Sequence, residues 1–229
     1  MSSEPDALVA QQIEYYRRRA AEYDETASPP GDPLEVFTRE IERALRAFAP
    51  TGDVLEVASG TGTWTRLLLE CASSVTALDA APEMHRESRR KLGDDPRLRY
   101  VEADVLSWEP DRCYDVVFFA NWLSHVPPKL FDGFWDTLRR ALSAEGRVFL
   151  VDESNDAPRH ERLSETYVAE AEAVVRRPLR DGTTFDIVKV FWDPAELAER
   201  VRTLGWEMTV RAVGPFLYAQ GAPVGKGSA

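Results

Sequence analysis

Between the apolar run Val54-Leu55-Glu56-Val57 and the apolar spacing of Leu67 to Leu69 the chain places Ala58, Ser59, Gly60, Thr61 and Gly62. Glycine reaches positive φ without a Cβ penalty and lets the backbone run close against a ligand. A strand, a small-residue turn and a helix in that order put such a turn at the carboxyl end of a strand, where open α/β sheets bind ligands. Asp79 closes the next apolar run, 23 residues beyond Glu56. A carboxylate there accepts hydrogen bonds from both ribose hydroxyls, so these residues suit an adenosine nucleoside. A dinucleotide turn needs a third glycine in Gly-x-Gly-x-x-Gly, and here Thr63, Trp64 and Thr65 follow Gly62. Trp64 and Thr65 would crowd a pyrophosphate, and no Gly-Lys-Ser/Thr of a phosphate loop is present.

Two further groups carry chemistry. His125 is the histidine nearest a strand end in this half of the chain, and a general base needs a pKa near working pH and reach to the substrate. A histidine just before Pro127 serves equally as a helix cap or hydrogen-bonded structural residue. Arg176, Arg177, Arg180 and Lys189 form a cationic group in an otherwise acidic chain. Such a run reads either as a solvated face or as an anion site, since guanidinium forks match carboxylate and phosphonate oxygens.

The elements that must position these residues follow from hydrophobic spacing. Runs at 53–58, 74–80, 97–103, 114–120 and 146–152 are continuous in Val, Leu, Phe and Tyr, as strands buried on both faces are. Helical spacing fills Trp64 to Ala72, Pro82 to Leu92 and Lys129 to Leu142. The alternation predicts right-handed βαβ units and a doubly wound α/β sheet. From Tyr167 the rhythm changes: the spacing predicts a helix ending before Pro178, a turn at Asp181 and Gly182, a strand over 185–192, and a helix opened by Asp193 and Pro194. Two runs split by Gly214 and Pro215 read as a closing antiparallel hairpin. One domain is expected, with N-terminal lid helices over 1–49, a cofactor-binding core over 50–152, a substrate-side insertion over 153–192, a closing helix and hairpin over 193–221 and a frayed tail over 222–229.

Composition narrows the partners. A formal net charge of -11 disfavours general attraction to nucleic acid or an anionic bilayer. The N-terminus has neither the cationic start nor the apolar core of a signal peptide, and no run approaches the length of a membrane span, so a cytoplasmic protein is expected. Cys71 and Cys113 stand without neighbours at metal-ligand spacing; neither a disulfide framework nor a metal site is indicated, and both read as small buried hydrophobes. Oligomeric state is not legible.

The stretch "LEVASGTG", with Glu56 as its acid, resembles the first motif of the class I S-adenosylmethionine-dependent methyltransferases, with Ala58 where that family usually has glycine. Asp79 and "EADVLSW", with Asp104 and the Val105 amide, are similar to the family's ribose and adenine positions, and "FFANWLSHVP" fills the place where the family lines the methyl-transfer centre. The resemblance covers roughly residues 50 to 150 and implies a Rossmann-like sheet of about seven strands with a helical lid or insertion. It implies a site for S-adenosyl-L-methionine formed by Glu56, Ala58, Gly60, Gly62, Trp64, Asp79, Ala80, Met84, Asp104, Val105, Ala120 and Asn121. "EYYRRRAAEYDE" resembles a segment that folds over the cofactor in many of these enzymes, bringing Tyr16 and Tyr23 close; the same spacing also suits an amphipathic helix packing Tyr15, Tyr16 and Tyr23 on the core.

The implied reaction is methyl transfer to a small molecule, with O-methylation of a small anionic acid of secondary metabolism preferred and Arg176, Arg177, Arg180 and Lys189 as its substrate contacts. A carboxylate or phosphonate is already deprotonated at neutral pH and attacks without a base; a phenol or alcohol would need His125. N-methylation of an amine or amino sugar, a NAD-dependent oxidoreductase and a non-catalytic nucleoside-binding module stand as alternatives.

Overall fold

The computed structural model describes residues 4–27, 29, 31–155, 166–169 and 173–225; the tail beyond 225 lies outside them. Five strands come first: β1 (Asp53–Val57), β2 (Ser74–Asp79), β3 (Leu98–Glu102), β4 (Tyr114–Ala120) and β5 (Leu142–Glu153), mostly buried except β3, which lies at the sheet edge with none of its residues fully buried. They pair in parallel, and the chain later adds β9 (Trp206–Val213) and β10 (Phe216–Pro223) as an antiparallel hairpin on β5. The seven-stranded order is β3-β2-β1-β4-β5-β10-β9. This is the Rossmann-like sheet and closing hairpin that the sequence anticipates.

Residues alternate between the two faces of the sheet, and each face is roofed by helices. Leu55, Val57, Val117 and Phe119 pack with Trp135 and Leu138 of α6 (Phe131–Ala141) and with Leu197 and Val201 of α7 (Pro194–Thr203). Val54, Val116 and Phe118 pack with Ile41 and Leu45 of α3 (Glu35–Phe48) and with Leu67 and Leu68 of α4 (Thr65–Leu68). Burial on both faces is why these strands read as unbroken apolar runs. Asp193 opens α7 by accepting from the amides of Ala195 and Glu196, with Pro194 in the first turn.

Several expectations are corrected. The helix foreseen from Trp64 to Ala72 is a single turn, α4, followed by turns. The segment foreseen as a helix before Pro178 is extended where described: β6 (Thr166–Ala169) and β7 (Val174–Pro178) pair antiparallel, and β7 pairs with β8 (Thr184–Val188) in a separate three-stranded sheet; residues 170–172 lie outside the described residues. Val174 and Val175 pair with Val188 and Ile187 in a β-branched ladder. The strand foreseen over 185–192 stops at Val188. Cys113 is exposed and Cys71 half-buried, because both sit in connections beside the sheet. Among the described residues no helix is long and apolar enough to cross a membrane.

The N-terminal segment joins the two parts. Tyr15 of α1 (Glu4–Arg19) packs with Val175, Leu179 and Ile187 of the small sheet. Ala20, with Tyr16 and Tyr23 beside it, packs on Ala81 and on Met84 of α5 (Pro82–Leu92). Tyr23 itself opens α2 (Tyr23–Ala27).

Candidate active site

The turn after β1 is built for close approach. Ala58, Gly60 and Gly62 all have positive φ, at 51°, 55° and 83°. The Ser59 amide donates to Leu78 O at 3.1 Å and the Gly60 amide to Asp79 Oδ2 at 2.8 Å, while Asp79 Oδ1 accepts from the Ala81 amide at 2.8 Å. Asp79 thus ties the turn to the start of α5. Burial pushes its carboxyl up to about 6, against the pull of the Ala81, Gly60 and Ala80 amides. Asp104 accepts from the Leu106 amide at 3.0 Å, and burial raises it too.

Gly60, Asp79 and Asp104 line a cleft of about 680 Å³, counting the solvent at its mouth, together with Ala58, Ala80, Met84, Val105, Ala120 and Asn121. Tyr16, Tyr23 and His125 also line it. A second, larger cavity of about 1810 Å³ on the same count is lined by the cations Arg19, Arg177, Arg180 and Lys189, by the carboxylates Glu22, Asp32, Glu42 and Glu153, and by apolar residues that include Ile41, Trp64, Leu67 and Phe216. Tyr16, Tyr23, Asn121 and His125 border both, so the two spaces meet there.

Some foreseen residues lie elsewhere. Glu56 lines neither space; it is 2% exposed beneath the turn, accepts a 2.6 Å hydrogen bond from Thr65 Oγ1, and burial lifts its carboxyl to about 8. Gly62 also lines neither, and glycine is required there because an added Cβ would come within 2.4 Å of Ser88 Oγ on α5. Trp64 belongs to the second cavity, packed on Phe118 at 5.6 Å between ring centroids. Arg176 faces outward from β7, where it forks onto Asp186 of β8 at 2.7 and 2.8 Å. Alternation along a strand sends Arg177 to the opposite face, into the second cavity. Arg180 lines that cavity but is paired with Glu22 at 3.3 Å and Glu25 at 2.9 Å. Lys189, 2% exposed, pairs with Glu153 and donates to Ser124 Oγ at 3.5 Å.

His125 and Tyr16 form a pair at the junction. The Tyr16 hydroxyl is 2.8 Å from His125 Nε2, and His125 Nδ1 is 2.7 Å from Val188 O. Burial first, then the nearby charges of Lys189 and Arg177, holds the imidazole well below its usual pKa, while burial raises the Tyr16 phenol well above its own. Gln12 and Arg19 were not foreseen. Gln12 donates to His125 O at 3.1 Å and accepts from the Val188 amide at 3.2 Å. Their signal was the helical spacing of Gln12, Tyr16, Arg19 and Tyr23 along one face of the N-terminal segment.

The first cleft fits an adenosyl cofactor by its donor set: a partly exposed carboxylate beside a glycine where an added Cβ would meet only Ala58 O at 4.0 Å, a second carboxyl, and the apolar walls of Met84, Val105 and Ala120. A family described as "Methyltransferase domain" matches residues 54–146. Over 108 residues the chain is 31% identical to a malonyl-[acyl-carrier protein] O-methyltransferase of Ilyobacter polytropus, covering 45% of this chain and 38% of that protein. Over 133 residues it is 30% identical to a trans-aconitate 2-methyltransferase of Rhodopseudomonas palustris, covering 56% and 48%. The matched stretches thus span less than half the length of these curated relatives. A solved structure described as the DhpI-SAH complex shares 43% identity and a TM-score of 0.83, covering 95% of this chain and 98% of that one. One described as the DhpI-SAM-HEP complex shares 44% identity and a TM-score of 0.82, covering 97% and 100%. With the cleft described above, this similarity over nearly the full length of both chains establishes that the protein belongs to the class I S-adenosylmethionine-dependent methyltransferases.

Proposed function

We propose that the protein methylates an oxygen of a small anionic acid, a carboxylate or phosphonate. The observation that carries this is the group of Arg19, Arg177 and Lys189 beside a junction whose His125 and Tyr16 are both poor bases. Arg19, Arg177 and Lys189 all bear electrostatically on His125 and line the second cavity, so an anion arriving there is favoured and oriented. His125 is held far below the pKa a base needs at neutral pH, and Tyr16 is held protonated. Neither His125 nor Tyr16 is therefore suited to take a proton from a phenol or ammonium, whereas an acid arrives deprotonated.

Asp79 and Asp104 hold the nucleoside of S-adenosyl-L-methionine in this reading, with the Gly60 turn along its edge and Met84, Val105 and Ala120 packing on the base. When bound, the cofactor supplies a methyl group on a positively charged sulfur. The protein's part is positioning: fixing two reactants in line and keeping water away supplies much of such a barrier reduction. The curated relatives, named for malonyl and aconitate acceptors, support an acid.

Alanine variants test the cationic group. Arg177→Ala and Lys189→Ala are expected to lower kcat/KM for an acid acceptor by about 10- to 100-fold each, the loss of one charge-assisted contact. Arg176→Ala, on the outer face of β7, is expected to leave it within about twofold. Equal effects at all three positions, or none at any, would remove the anion site.

A further inference from the structure

The hydrogen bonds at His125 have a sense that chemistry fixes. A carbonyl only accepts, so Nδ1, 2.7 Å from Val188 O, carries the ring proton. The ring stays neutral because it is buried, 3% exposed, with Lys189, Arg177 and Arg19 around it, and Nε2 therefore has a bare lone pair. The Tyr16 hydroxyl at 2.8 Å must donate to that lone pair. Its single proton points back into the protein, and its oxygen keeps only lone pairs for the junction of the two cavities. Gln12, four residues before Tyr16 on α1, clamps both His125 and Val188 and so holds the helix in register with the histidine.

We infer that His125 is a positioning residue acting through Tyr16: by taking the phenolic proton it keeps Tyr16 a hydrogen-bond acceptor where the two cavities meet. The inference rests on the function proposed above and names the work of that same site. A hydroxyl with a free proton would donate to the incoming acid oxygen and occupy the lone pair that must attack. As an acceptor, Tyr16 instead favours positive charge on the cofactor side and leaves the acid to Arg19, Arg177 and Lys189. No proton reaches or leaves His125 during transfer.

Binding tests this without turnover, by calorimetry with S-adenosylmethionine and with S-adenosylhomocysteine, whose sulfur is neutral. Tyr16→Phe and His125→Phe are each expected to reduce the preference for the charged ligand by about 3- to 10-fold, and the double variant by no more than Tyr16→Phe alone. His125→Gln, whose amide oxygen still accepts from Tyr16, is expected to lie closer to the wild type. Nitrogen NMR of histidine-labelled wild-type protein, assigned against whichever of His125→Gln and His125→Phe folds, should show Nδ1 protonated, Nε2 bare, and no titration between about pH 5.5 and 8.5. A His125 resonance titrating near pH 6 to 7, or a His125 loss that persists in full in the Tyr16→Phe background, would overturn the inference. An acceptor that proves to be no acid would remove the proposed function and leave the binding and NMR results standing.

Discussion

Ala58 sits at φ 51°, in the left-handed region that costs an L-residue about 1–2 kcal/mol. Ala58→Gly removes that strain at the smaller entropic cost of a glycine, so a gain of about 0.5–1 kcal/mol in urea unfolding is expected, and Ala58→Val should lose more than about 2 kcal/mol. Glu56 gives a pH-dependent signature. Its folded value, about 8, lies above its unfolded value of 4.5. The stability it contributes is therefore full below pH 4.5, declines through the interval and is gone above 8. Glu56→Gln keeps a partner for Thr65 without the titration, so its stability relative to wild type should rise steadily from about pH 5 to pH 8 and then level, measured by thermal unfolding across pH. A constant difference would mean that Glu56 is ionised in the folded protein. The placement of Gly60, Asp79 and Asp104 beside the cleft follows from features visible along the chain, a small turn and carboxylates closing apolar runs. Glu56, Gly62, Trp64 and Arg176 stand at equally suggestive places in the sequence but are set by contacts with α4, α5 and Phe118 and by the β7 pleat, which no local pattern encodes.

The N-terminal helices are held at both sides by ion pairs. Arg17 meets Glu83 at 3.1 Å and Asp24 meets Lys91 at 2.6 Å on α5. On the β7–β8 side, Arg18 meets Asp181 at 2.6 Å and Arg180 meets Glu22 and Glu25. Exposed pairs contribute about 0–1 kcal/mol each and weaken with salt, so they are easy to release, whereas Tyr15 and Gln12 fasten α1 by buried contacts. Replacing both Glu22 and Glu25 by Ala is expected to speed cofactor dissociation about two- to tenfold in stopped-flow, with the melting temperature nearly unchanged. A fall in melting temperature without faster dissociation would make the pairs purely structural. The central parallel strands β1, β2, β4 and β5 are legible in sequence because each is rich in apolar residues and helical segments lie between most of them. The β6-β7-β8 sheet is not: its ladder joins Val174 and Val175 to Val188 and Ile187 across the Asp181 turn, while the local Ala and Glu composition favours a helix.

At the scale of the whole molecule, a chain of net charge -11 gathers four cationic side chains, beside four carboxylates, in one of its cavities. Net charge describes the average surface and the general partners it repels; it hides a site assembled from α1, β7 and the residue after β8, which are far apart in sequence. The cluster of Arg177, Arg180 and Lys189 hinted at that site, but Arg19 joins it only because α1 crosses over the small sheet. Both cavities open toward one junction at Tyr16, Tyr23, Asn121 and His125, and the proposed chemistry requires that convergence. The most direct measurement is mass-spectrometric detection of methylated product after incubation with S-adenosyl-L-methionine and matched carboxylates, phosphonates, phenols and amines. Methyl esters of one or more acids, with phenols and amines untouched and a rate that stays level from about pH 6.5 to 8.5, are expected. Methylation of a phenol or an amine alone, rising with pH through a group near 7, would contradict the claim that this site acts on an anion without a base.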